Sequence, residues 1–269
     1  QRYGKLSDLK KHKATIEERE EYEKHIREGL VVYAGVNYEK ILRHAEKEAD
    51  VIIWDGGNND FSFIQPNLLF VVVDPLRAGD EMHYHPGETN LRMADYIIIN
   101  KENDAHPAQI QTVVKDIRHF NPRAQIIHAD SVLSTESKIN LRGKKVVCVE
   151  DGPTVTHGGM PFGAGTVFSK QKGATIIDPR PFAQGSVKKA YEKYHQLEMV
   201  VPALGYSLEQ VKELERTLNA CECDYIVSGT PINLSSVLKT NKPIVQVNYE
   251  LKEKGKLDLK KVLKQKGFL

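Results

Sequence analysis

A chain of 269 residues with 40% apolar content can build one large or two ordinary α/β domains, and that composition argues against disorder. Its 38 Lys and Arg nearly balance 36 Asp and Glu, so no whole-protein field favours nucleic acid. No apolar run reaches the roughly eighteen residues of a membrane span, and QRYGKLSDLKKHK at the start has no apolar signal core. Cys148, Cys221 and Cys223 are too few for a disulfide framework or a four-ligand zinc site. A soluble, cytoplasmic protein without nucleic-acid or membrane partners is expected, and a homodimer is left open. Residue 1 is Gln within a charged segment, so the sequence is expected to be an N-terminally truncated piece of a longer chain.

In chain order, Thr15 followed by Glu18 has capping-box spacing and starts a charged helix to Glu28. Apolar runs then alternate with helical patterns: Leu30–Ala34 (strand), Tyr38–Glu48 (helix), Val51–Trp54, Leu68–Val73 and Tyr96–Ile99 (strands), Pro107–Phe120 (helix) and Gln125–His128 (strand). The polar stretch Asp130–Arg142 reads as a domain boundary. Beyond it come strands at Lys145–Val149, Thr175–Ile177, Tyr225–Val227 and Pro243–Val247, with helices at Gly163–Lys172, Gly185–Tyr194 and Ser207–Asn219. Continuous apolar strands separated by helices predict an α/β fold with mainly parallel sheets covered on both faces. The expected division is residues 1–130, residues 143–250 and a basic tail, 251–269, which reads as a docked terminal helix with a solvated face.

Val51–Asp60, VIIWDGGNND, places Asp55 after an apolar run, where a carboxylate could reach a nucleotide-bound magnesium ion. The alternative is an Asp that caps a turn. Forty-five residues on, YIII runs into Asn100-Lys101-Glu102-Asn103-Asp104. This is similar to the NKxD base-reading element of GTPases, with the Asp one residue late, so these residues are expected to bind nucleotide. No GxxxxGK[ST] phosphate loop occurs.

The most distinctive segment, EDGPTVTHGGMPFGAG (Glu150–Gly165), lies between a strand and a helix. Gly158, Gly159, Gly163 and Gly165 would let backbone N–H groups approach a substrate phosphate, while Asp151 and His157 offer acid/base groups. A tight turn around a buried His157 is the structural alternative. Arg180, in TIIDPRP, could bind phosphate with its planar fork or sit in a surface ion pair. The spacing His83-x-His85 has no further ligand cluster nearby in sequence, which argues against a metal there.

WDGGNND, VVVDPLRAG, HPGETNLRMAD, VEDGPTVTHGGMPFGAG, DPRPFAQGS, PALGYS and SGTPINL together resemble the archaeal cyclic 2,3-diphosphoglycerate synthetases and similar predicted GTPases, over almost the whole chain. The resemblance implies a P-loop NTPase-like domain, its P-loop upstream of residue 1, followed by a second Rossmann-like domain binding a phosphorylated small molecule. It also implies ATP and Mg2+ as cofactors and an ATP-dependent ligase closing 2,3-bisphosphoglycerate into a cyclic anhydride, or alternatively a nucleotide hydrolase or switch. In that reading Asp55 holds magnesium, Arg180 and the glycine loop bind substrate phosphates, and His157 neutralises charge or shuttles a proton.

Overall fold

Eleven strands occur among the residues described in the computed structural model, namely 1–56, 60–204 and 207–269, the side chains of Ile16, Glu17 and Glu20 excepted. They are β1 (Arg2–Tyr3), β2 (Val32–Tyr33), β3 (Phe70–Val73), β4 (Tyr96–Ile99), β5 (Gln125–Ser134) and β6 (Lys145–Glu150). After these come β7 (Thr175–Ile176), β8 (Val200–Pro202), β9 (Tyr225–Ser228), β10 (Ile244–Gln246) and β11 (Asn248–Lys254). The fold is α/β, with parallel sheets flanked by helices. Two compact units form: residues 1–34 with 133–249, and residues 35–132 with 250–269.

In the first unit the strand order is β10-β9-β6, and the other edge of β6 is shared by two short strands. Lys145 and Val146 pair with Thr175 and Ile176 of β7, while Cys148, Val149 and Glu150 pair with Val200, Val201 and Pro202 of β8. All of these pairings are parallel. Successive side chains of a strand point to opposite faces. Val146 and Cys148 therefore join Val155, Phe168 and Leu197 on one side, and Val147 and Val149 join Val187, Leu214 and Leu218 on the other. A strand buried on both faces must be apolar throughout, which is why KVVCV is so legible. β1 and β2 form a separate antiparallel pair in this unit. Helix Ile16–Arg27 beside them carries both halves of the expected capping box: the Glu18 amide donates to Thr15 (3.2 Å) and the Thr15 amide to Glu18 (2.7 Å).

The second unit has the order β11-β5-β4-β3, with β3, β4 and β5 parallel. Ile97 and Ile99 pack against Val113 and Ile117 of helix Pro107–Phe120, while Tyr96 and Ile98 face Ile127 and Ala129 together with Val262. Val262 belongs to helix Leu259–Gln265 and is fully buried, so the lysine-rich C-terminal segment inserts it into this core, with Leu257 and Leu259 packed beside it.

Two expected elements differ. Val51–Trp54 is not a strand: Val51, Ile52 and Ile53 are 48%, 41% and 78% exposed and have no ladder partner among the described residues. An apolar run supplies propensity, but a strand also needs a neighbour to take its backbone hydrogen bonds. The polar segment from Asp130 is irregular only in part, because β5 continues through Asp130 to Ser134 and pairs with β11. The hydropathy of β11, NYELKEK, hides it, as the brevity of β1 and β8 hides them.

Placing a carboxylate at the one fully buried position of the terminal helix should expel that helix, since an unpaired buried charge costs more than the docking of a seven-residue helix returns. Val262→Asp is expected to abolish hydrogen-exchange protection across Leu259–Gln265 while leaving β6 and β9 protected. Unchanged protection in the terminal helix would contradict the docking described.

Candidate functional site

Glu150 ends β6 with a fully buried side chain, at the N-terminus of helix Ala164–Gln171. One carboxylate oxygen accepts from the Gly165 amide (3.0 Å), the other from the Thr166 amide (2.6 Å) and Thr166 hydroxyl (2.7 Å). Its backbone carbonyl accepts from the Ala203 amide at 2.8 Å. Helix N-termini attract anions because their first amides lack intrahelical partners. Here the anion comes from the chain itself.

Glycines make room for this carboxylate. A Cβ on Gly163 would lie 2.6 Å from a Glu150 carboxylate oxygen, one on Gly165 3.1 Å from the Gly229 amide nitrogen, and one on Gly229 would meet Glu150 and Gly165. Burial pushes the Glu150 pKa up, opposed by the hydrogen bonds from Thr166, Gly165 and Gly163.

The remaining loop glycines are also committed. Gly158 donates its amide to the Pro153 carbonyl (2.8 Å) and Gly159 to that of Thr156 (3.1 Å), with Gly159 at φ +68°. Gly165 donates to Glu150, so three of the four amides expected to bind substrate phosphate form bonds within the loop as folded. Asp151 caps helix Gly152–Val155, accepting from the Thr154 amide (3.1 Å) and hydroxyl (2.6 Å). Arg180 is likewise engaged: its Nε and Nη2 form a bidentate pair with Asp178 at 2.7–3.0 Å, which holds the Asp178 carboxyl below its usual range. The surface ion pair, rather than a free phosphate fork, describes Arg180 here.

His157 is exposed, not buried, and bridges two hydroxyls. Its Nδ1 lies 3.2 Å from Thr156 Oγ1 and its Nε2 3.1 Å from the Tyr194 hydroxyl. Thr156 spends its single hydroxyl hydrogen on the Gly152 carbonyl at 2.6 Å, so Nδ1 must donate to Oγ1 and Nε2 is left to accept from Tyr194. The imidazole is thereby fixed as one tautomer, with Tyr194 as its proton-bearing neighbour. Tyr194 had no local motif to mark it, nor did Ser228, whose fully buried hydroxyl at the end of β9 has no hydrogen-bond partner.

In the second unit, the structure gathers Asn100, Lys101, Asn103 and Asp104 at the C-terminal end of β4, the sheet edge where open α/β folds bind ligands. The Asn100 side-chain oxygen is buried without a partner. Lys101 adopts φ +59° and places Nζ 2.6 Å from Asp74, just beyond β3. Asn103 is bonded both ways to the Ser131 backbone (2.8 and 3.3 Å). The Asp104 carboxyl is raised by desolvation above its ordinary range, with Asn103 opposing. Asp55 stands apart from a strand end, in an exposed loop, and Gly57, Asn58 and Asn59 of its motif lie outside the described residues, as do Gly205 and Tyr206 of PALGYS. Among the described residues no three or more His, Cys, Asp or Glu side chains are grouped to hold a metal, His83 and His85 included.

Fold and site together define an α/β protein with polar, titratable side chains at the C-terminal ends of two parallel sheets. No family model matches the chain. It is 54% identical over 266 residues to a protein of Thermococcus kodakarensis named arginine synthetase ArcE, a match covering 98% of this chain and 59% of that relative's own length. The name of so similar a relative overturns the expectation of cyclic 2,3-diphosphoglycerate formation, and equally that of a nucleotide switch or hydrolase.

The raised pKa of Glu150 means that the folded chain holds this proton more tightly than the unfolded chain does. The resulting contribution is fully present below the ordinary glutamate range and is lost as pH rises through the raised value. Urea unfolding of wild type and Glu150→Gln between pH 4 and pH 8 should therefore give a steeper loss of stability with rising pH in the wild type; parallel profiles would contradict the assignment. Gly163→Ala should cost about 1–3 kcal/mol by overpacking against the carboxylate.

Proposed function

We propose that this chain takes part in an ATP-driven ligase reaction that produces arginine. The observation that supports this is the 54% identity to an arginine synthetase across nearly the whole chain. A guanidinium group can be made from a ureido group only if the carbonyl oxygen leaves and nitrogen takes its place. ATP with magnesium, when bound, supplies the phosphoryl group that turns this oxygen into a leaving group and screens its negative charge. The new C–N bond forms as the C–O bond breaks, phosphate departs and the incoming nitrogen gives up a proton.

The chain's residues divide these tasks in our reading. Asn100, Lys101, Asn103 and Asp104 bind the nucleotide at the end of β4, with the partnerless Asn100 oxygen an acceptor for ligand N–H and Asp55 reaching the magnesium ion. His157 is the group suited to take the proton: it is exposed, its tautomer is set by Thr156, and its accepting Nε2 is covered only by the Tyr194 hydroxyl. Asp151 and Glu150 shape the loop that carries His157, and neither is assigned a bond-making step.

Incubation of the full-length protein with ATP, magnesium, ¹⁵N-ammonium and the ureido analogue of arginine should place one ¹⁵N in the guanidinium of newly formed arginine. His157→Ala is expected to lower that rate about a hundredfold or more, the usual scale for loss of a general base. Consumption of ATP without labelled arginine would refute the proposed product, and a normal rate in the variant would refute the role of His157.

A further inference from the structure

Lys101 sits in the left-handed region at φ +59°, which costs a side-chain-bearing residue energy and persists only where the surroundings over-determine it. What surrounds the turn is specific. The Glu102 amide donates to the Ala129 carbonyl at 3.2 Å, and Asn103 is stitched to the Ser131 backbone. Behind the turn the Glu102 side chain is only 6% exposed, with one oxygen 2.5 Å from His128 Nδ1 and the other 2.9 Å from Lys254 Nζ. Lys254 also lies 2.7 Å from Asp130. It is the last residue of β11, the strand that flanks β5.

We infer that Lys254 is a positioning residue for the Asn100–Asp104 turn, holding it in ligand-ready form through Glu102 and Asp130. A carboxylate buried to this degree needs compensating charge, and removing the cation would leave Glu102 buried with only His128 beside it. The turn can relieve that cost by swinging Glu102 toward solvent, which breaks the Ala129 and Asn103 bonds and releases Lys101 from its left-handed conformation. A residue 150 positions beyond the end of the turn in sequence thus governs its shape. Its effect on ligand binding rests on the nucleotide reading given above; its effect on the turn does not.

Lys254→Met and Lys254→Arg separate the two. In nucleotide-free protein, amide exchange at Glu102, Asp104 and Ser131 should quicken about tenfold in the methionine variant and return most of the way in the arginine variant, the scale of one charge-assisted contact. Binding of ATP, measured by calorimetry, should weaken by a similar factor in Lys254→Met. Unchanged exchange with both variants folded would overturn the inference. Faster exchange in a protein that binds no ATP at any concentration would leave the positioning role standing and refute the nucleotide reading alone. Should Lys254→Met fail to fold, Asp130→Asn removes only one side of the contact and should give a smaller rise in exchange at the same amides; no rise would again overturn it.

Discussion

The first unit depends on one buried anion. Glu150 must be accommodated where β6 ends, and charge inside a protein is tolerated only with hydrogen bonds on every side. The helix starting at Ala164 supplies them, and this fixes where the helix begins and how closely it approaches the sheet. That approach leaves no room for side chains at Gly163, Gly165 and Gly229, so three glycines from two separate segments follow from one carboxylate. The loop between, including His157, is then held at both ends: by the Asp151 cap at its start and by the anchored helix at its finish.

The second unit uses charge differently. Asp74 and the Asn100–Asp104 turn follow its strands β3 and β4, Asp130 lies within β5, and the acids there are offset by Lys101 and Lys254. Ion pairs this exposed on the cation side contribute little to overall stability. Their value is conformational, because they select one arrangement of a turn whose backbone alone would relax. Where the first unit spends a buried carboxylate on packing two segments together, the second spends one on holding a loop in a state it would otherwise leave.

Much of the fold was legible because buried parallel strands announce themselves. YIII and KVVCV have both faces covered and read as unbroken apolar runs. Val51–Trp54 reads identically yet is not a strand, since hydropathy reports a residue's preference and says nothing about whether a pairing edge is present. β11 fails in the opposite direction: its charged residues hide a strand whose terminal Lys254 is engaged with Glu102 and Asp130. The site was legible as places and not as partnerships. Asn100, Lys101, Asn103 and Asp104 do stand together at a sheet edge, but the attachment of Asn103 to Ser131 and of Lys101 to Asp74 crosses about 27 or more residues of sequence, beyond the reach of any local pattern.

The glycine loop shows why motif and chemistry can part. A run of glycines before a helix signals that backbone amides are accessible to an anion, and a substrate phosphate is the ligand such a run leads one to expect. The same requirement is met when the anion is Glu150, because the end of its strand and the start of the Ala164 helix face each other. In the folded loop the Gly158, Gly159 and Gly165 amides and Arg180 have partners within the chain, and His157 is exposed with Thr156 and Tyr194 at its two nitrogens.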